Sequence, residues 1–232
     1  MIEAVPHRLQ YAVAVLCPEI ERRVQVNDRP RTEREHWREL SCCLLSSQVP
    51  YGLASAAADA IDDADLLTCA RADQVALEAV LSSPLQVAGR TRRYRFPVAR
   101  AAQLASTHRA VHAAARGLSA LLDSFADAQQ ARGWFIEYAA GFGPKQASMF
   151  LRNAGYSYEL AVLDRHVLNY MTVLGMQDGG SHSMSSLARY HHCEAKLVRH
   201  ASELGFRVGL LDWAVWIVMR AASSIAREAV RA

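Results

Sequence analysis

The sequence predicts an all-α fold. Just over half of its 232 residues are hydrophobic and 21% are charged, the balance of a globular chain able to bury a core. Alanine is abundant, whereas 12 glycines and 7 prolines leave few breaks. β-branched runs are short, and apolar residues recur at helical spacing in one segment after another.

The elements follow in order. An opening helix is expected from about Pro6 to Val24. The loop around Asn27, Asp28 and Pro30 leads to Thr32, an N-cap with Glu35 three residues on, which is the pattern of a capping box. The helix through Trp37, Leu40, Leu44 and Leu45 ends near Val49-Pro50. Further helices are expected over about 52–63, 74–82, 94–106 and 117–125. A helix carrying Trp134, Phe135 and Tyr138 then runs into Ala139-Ala140-Gly141-Phe142-Gly143-Pro144. The next begins at Pro144-Lys145 and stops before Gly155, since Pro suits a first helical position and Gly the residue past a last turn. Asp164 is placed to cap a third helix, Arg165 to Val173.

Charge and cysteine usage narrow the function classes. The net charge is only +3, yet Arg90, Arg92, Arg93, Arg95 and Arg100 fall within eleven positions, either a solvated face or a phosphate contact strip. The five cysteines show no metal-ligand spacing, and Cys42 and Cys43 read as inert core thiols. An odd count with no signal peptide fits a reducing, cytoplasmic setting. His191, His192, Cys193 and Glu194 adjoin on one helix, point different ways, and read as isolated polar surface rather than a metal site. The apolar stretch from Leu210 to Met219 is too short to cross a bilayer and carries Asp212, which argues against a membrane role.

The segment with chemical content is 128–169. Two helices joined by Gly-x-Gly present backbone N–H groups at the start of the second, an anion site backed by the helix dipole. Gly141 and Gly143 let backbone approach a phosphate. The same pattern also serves simply to turn an αα-hairpin. Lys145 adds more: the chain has 26 basic residues but only two lysines, Lys145 and Lys196. An amine can form a Schiff base and a guanidinium cannot. In the first turn of a helix the dipole also disfavours the ammonium form. A phosphate or solvent contact remains the plainer reading of Lys145. Asp164 is first of all an N-cap, and a carboxylate fixed there can also stabilise a cationic sugar transition state.

Residues 141–156 (Gly-Phe-Gly-Pro-Lys-Gln-Ala-Ser-Met-Phe-Leu-Arg-Asn-Ala-Gly-Tyr) and 160–167 (Leu-Ala-Val-Leu-Asp-Arg-His-Val) resemble the hairpin and catalytic segment of helix-hairpin-helix DNA glycosylases. They are most similar to the 8-oxoguanine DNA glycosylase/AP lyase type of archaea and some bacteria, and weaker similarity runs from about Leu40 to Met219. The resemblance implies a two-lobed helical fold with the active site in the cleft between lobes. Lobe one would span about 32–126, and the hairpin and catalytic lobe about 127–232, with the N-terminal helix 6–24 packed on it.

By the same resemblance Lys145 attacks C1′ and Asp164 assists. Gly141, Gly143 and Arg165 contact DNA, and Gln48, in Leu-Leu-Ser-Ser-Gln (44–48), fills the gap left by a flipped base. Trp216 stacks on the extruded base, Asp212 hydrogen-bonds it, and Phe96 is a second stacking candidate. A core role for the tryptophan and a polar helix terminus for Gln48 are the competing readings. The implied partner is double-stranded DNA with a modified base, bound by a monomer associated with the nucleoid. No organic cofactor is implied, only a monovalent cation on hairpin carbonyls. The chain continues from Arg220 to Ala232, past the point where archaeal members end, which leaves open a different or hypermodified base, for example in phage defence. A non-catalytic helix-hairpin-helix DNA-binding protein is the alternative from another class.

Overall fold

The computed structural model describes residues 4–27, 29–69, 71–177 and 187–229, apart from the side chains of Ala4 and 224–229; Asp28 and residues 230–232 of the C-terminal extension lie outside them. Eleven helices are present among the described residues: α1 Ala4–Val26, α2 Glu33–Leu45, α3 Tyr51–Asp63, α4 Gln74–Ser82, α5 Pro97–Ala114, α6 Leu118–Asp123, α7 Ala128–Tyr138, α8 Pro144–Asn153, α9 Arg165–Val173, α10 Leu187–Glu203 and α11 Val208–Ala229. No helix among them is long and apolar enough to cross a membrane.

Local chemistry accounts for most boundaries. The Thr32–Glu35 capping box forms in both directions at the start of α2. Asp73 and Asp127 cap α4 and α7 through their carboxylates. α6 starts at Gly117, which has no side chain to offer, and Glu33 of α2 does the capping instead. Its carboxylate accepts from the Leu118 N–H at 2.6 Å, the Ser119 N–H at 2.7 Å and Trp37 Nε1 at 2.7 Å.

Two short strands, β1 Leu85–Val87 and β2 Arg90–Arg92, interrupt the all-helical pattern. They pair antiparallel, Leu85 with Arg92 and Val87 with Arg90, across a turn whose two residues, Ala88 and Gly89, both have positive φ. This hairpin delays the helix expected at 94 until Pro97. Phe96, at φ −131° and ψ 53°, stays out of the helix as a residue before proline does.

The chain divides into two compact units. One is the continuous stretch Pro30–Tyr156. The other combines Met1–Arg29 with Ser157–Ala232. The boundary expected at 126/127 therefore falls at 156/157. The reason is that α8 packs on α2 as well as on α7, and Asn153 Nδ2 donates to Glu39 at 2.7 Å. In the discontinuous unit, Val13, Cys17 and Ile20 of α1 join a core with residues of α9, α10 and α11, including Val167, Leu197, Leu211 and Val215. Helix α1 thus packs on the C-terminal segment.

Candidate active site

Within the unit 30–156, α7 and α8 form the hairpin. Its interior is aromatic: Phe135 lies 6.0 Å from Phe142 and 5.0 Å from Phe150, with tilted or edge-on rings. Arg132, 1% exposed, ties the two helices together by donating to Ser148 Oγ at 3.2 Å and Gln129 Oε1 at 2.7 Å. Gly141 turns the chain at φ +85°. Gly143 is the N-cap of α8 and offers no side-chain acceptor, and Pro144 has no N–H. The first N–H groups of α8 are left to an outside acceptor. Lys145, half-buried, is the second residue of this helix and makes no hydrogen bond or ion pair among the described residues.

Gln48 sits on the loop between α2 and α3. It is exposed, at φ +62°, a conformation that costs an L-residue energy and tends to persist where function holds it. Nearby, the Arg100 guanidinium donates to Ser47 O at 3.4 Å and to Gln103 Oε1 at 2.6 Å, and the Gln103 amide packs against the Cα of Gly141. Tyr94 OH donates to Leu45 O at 2.7 Å. The Gln48 loop and the hairpin turn are thus braced by one group of side chains. Phe96 is half-buried and carries the Arg95 guanidinium 4.9 Å from its ring centre and that of Arg100 at 5.9 Å.

In the other unit, Asp164 caps α9, its carboxylate accepting from the Val167 N–H at 2.9 Å, with exposed Arg165 next to it. The segment before it is held by side chains. Ala161 N–H donates to Glu194 Oε1 at 3.0 Å, Val162 N–H to Asp212 Oδ2 at 2.5 Å, and Leu163 N–H to Tyr190 OH at 3.2 Å. Tyr190 OH donates in turn to Ala161 O at 2.7 Å.

With both helix starts described, the comparisons decide the family. The sequence model of the 8-oxoguanine DNA glycosylase family matches residues 20–206. The chain belongs to that family. The 8-oxoguanine DNA glycosylase/AP lyase of Sulfurisphaera tokodaii is 31% identical over 83% of this chain and 86% of its own. That of Metallosphaera sedula is 32% identical over 80% and 82%. Among solved structures, the 8-oxoguanine DNA glycosylase of Thermotoga maritima matches with a TM-score of 0.70 and 25% identity, over 93% of this chain and 96% of that one. The Methanocaldococcus jannaschii 8-oxoguanine glycosylase/lyase, solved with a 15mer DNA containing 8-oxoguanine, shares the fold at a TM-score of 0.70 and 23% identity, over 90% and 95%.

In this 8-oxoguanine DNA glycosylase family member the base-facing candidates Asp212 and Trp216 both lie on α11. Asp212, carried by resemblance to the base, is 1% exposed and engaged with the Val162 N–H. Trp216 is half-buried, with the Arg220 guanidinium 4.9 Å from its ring centre. Cys193 and Glu194, read as polar surface, are both buried, and only His191 and His192 of that group are exposed. The core-thiol reading of Cys42 and Cys43 stands: burial pushes Cys42 up to about 11 and Cys43 well above the usual thiol range. Arg132, Gln103 and Tyr190 carry no local sequence signal, and Arg100 stands out only as part of the basic strip. Their partners lie up to 53 residues away in the chain or are backbone atoms, so no short motif marks them.

Proposed function

We propose that this chain is a DNA glycosylase with AP lyase activity that excises 8-oxoguanine. The observation that carries the reading is Lys145, one of two lysines, which among the described residues has no hydrogen-bond or ion-pair partner at the start of the hairpin's second helix. The hairpin N–H groups take a DNA phosphate, and Gln48 enters the stack as the damaged nucleotide leaves it. Unstacking costs a few kcal/mol, which the backbone contacts must offset. The Lys145 amine attacks C1′ as the glycosidic bond breaks and the base departs with the bonding electrons. Loss of a proton from nitrogen and opening of the sugar ring give a protonated imine. Removal of a C2′ proton then expels the 3′ phosphate, and the strand is nicked. The Asp164 carboxylate stabilises the positive charge at the sugar and on the imine. Supporting this role, its N-cap bond fixes the carboxylate in place.

The carbonyls of Ala140, Gly141 and Phe142 carry no hydrogen bond among the described residues. Neutral oxygens of this kind suit a monovalent cation, which would brace the turn against the phosphate.

Borohydride reduction of the imine tests the assignment. Wild type on a duplex containing 8-oxoguanine should give a covalent adduct, and Lys145→Gln none. Equal trapping by both proteins would remove Lys145 as the nucleophile, and no trapping by either would remove the lyase assignment. A second reading keeps the chemistry and changes the base. It is favoured by Asp212 being engaged within the fold and by Arg220 lying over Trp216. A panel of oxidised, alkylated and hypermodified bases separates the two, since release of another base without release of 8-oxoguanine selects the second.

A further inference from the structure

The segment Ala161–Leu163 is not helical, and side chains of α10 and α11 satisfy each of its backbone donors. Those of Ala161 and Leu163 meet Glu194 and Tyr190, which are four residues apart and therefore share one face of α10. That of Val162 meets Asp212 of α11. Glu194, Asp212 and Tyr190 are 6%, 1% and 1% exposed. Placing two carboxylates at such depth is costly unless they are well bonded. Here they hold a non-helical segment that could otherwise slide along the two helices. Its next residue is Asp164, and Gly209, at the start of α11, leaves no room for a Cβ against Tyr158 O at 2.9 Å.

We infer that Tyr190, Glu194 and Asp212 are positioning residues for Asp164, and that Asp212 serves the reaction through the Val162 N–H rather than through the excised base. This rests on the assignment of Asp164 to the sugar. Removing the Tyr190 hydroxyl frees both the Leu163 N–H and the Ala161 carbonyl. A displacement of about 1 Å at a catalytic group costs on the order of a hundredfold in rate. A partial displacement should therefore cost about tenfold.

The test uses single-turnover excision of 8-oxoguanine and, separately, nicking of a preformed abasic site, which has no base to recognise. Tyr190→Phe and Asp212→Leu should each slow both reactions by about tenfold, while Asp212→Asn, which keeps an acceptor, stays within about twofold of wild type. Added to Asp164→Asn, Tyr190→Phe should cost nothing further, because its effect runs through the residue already lost. Slowed excision with unchanged abasic-site nicking in Asp212→Leu would return Asp212 to base recognition and overturn the inference. So would an undiminished Tyr190→Phe effect in the Asp164→Asn background. Full activity of Asp164→Asn would instead sink the assignment of Asp164 itself. Tyr190 and Asp212 lie on different helices, and whichever variant folds decides the matter.

Discussion

Gly141→Ala should weaken the hairpin by about 2–3 kcal/mol. At φ +85° an L-residue costs about 1–2 kcal/mol. The new Cβ would lie 2.6 Å from both Cδ and Oε1 of Gln103, so the amide must move. That amide is held by Arg100, and losing the 2.6 Å bond adds about 1 kcal/mol once its partial exposure to solvent is allowed for. At roughly 2–4 °C per kcal/mol for a chain of this size, the melting temperature should fall by about 5–10 °C. Urea and thermal denaturation measure the loss. Gly141→Ala with Gln103→Ala isolates its parts: removing the amide should make the alanine's cost smaller by about 1 kcal/mol and leave the backbone share. A loss below about 0.5 kcal/mol, or the same alanine cost with and without Gln103, would refute the reasoning.

Four further outcomes are expected. Gln48→Gly should raise stability by up to about 1 kcal/mol while slowing base excision, because it removes the left-handed strain together with the side chain proposed to enter the stack; a destabilised variant would contradict this. Burial alone would raise the pKa of Glu33, but the N–H groups of Ser119 and Leu118 and the other donors outweigh it and hold the carboxyl below its ordinary 4.5. Its stabilisation is therefore present above 4.5 and lost as pH falls through the folded value, so Glu33→Gln should lower the urea midpoint near neutral pH and much less in acid. Burial holds His36, His108 and His200 below their ordinary 6.5. Between that value and the folded one the unfolded chain binds more protons, and stability should decline as pH drops below 6.5; equal urea midpoints at about pH 7.5 and 5.5 would argue otherwise. Cys69 is exposed whereas Cys17, Cys42, Cys43 and Cys193 are buried, so a thiol reagent should modify one cysteine quickly in the native protein and all five after unfolding.

What could be read from the sequence was what a few neighbouring residues decide. Thr32 with Glu35, Pro144 after Gly143, and Asp164 before α9 each set a helix start through bonds three or four residues long, and the α9 boundaries match the expected span. The β1–β2 hairpin escaped because its turn is Ala-Gly. Alanine is not a residue that signals φ > 0, and the three residues of β2 are all exposed. Asp212 stood out in the sequence, but its backbone partner did not. Its bond to Val162 spans 50 residues and depends on how α11 packs, which no local pattern encodes. The unit boundary was missed for the same reason, since α8 packs back on α2 across a hundred residues of chain.

The chain order of the discontinuous unit bears on biosynthesis. A ribosome releases α1 first and α11 last, so Val13, Cys17 and Ile20 wait for Leu211 and Val215, the greater part of the chain later. Residues 30–156 emerge in between as one contiguous stretch, free to assemble ahead of them. Truncation before α11 would strand α1 as an orphan amphipath, prone to clump with its own kind, while the intervening stretch keeps all its helices.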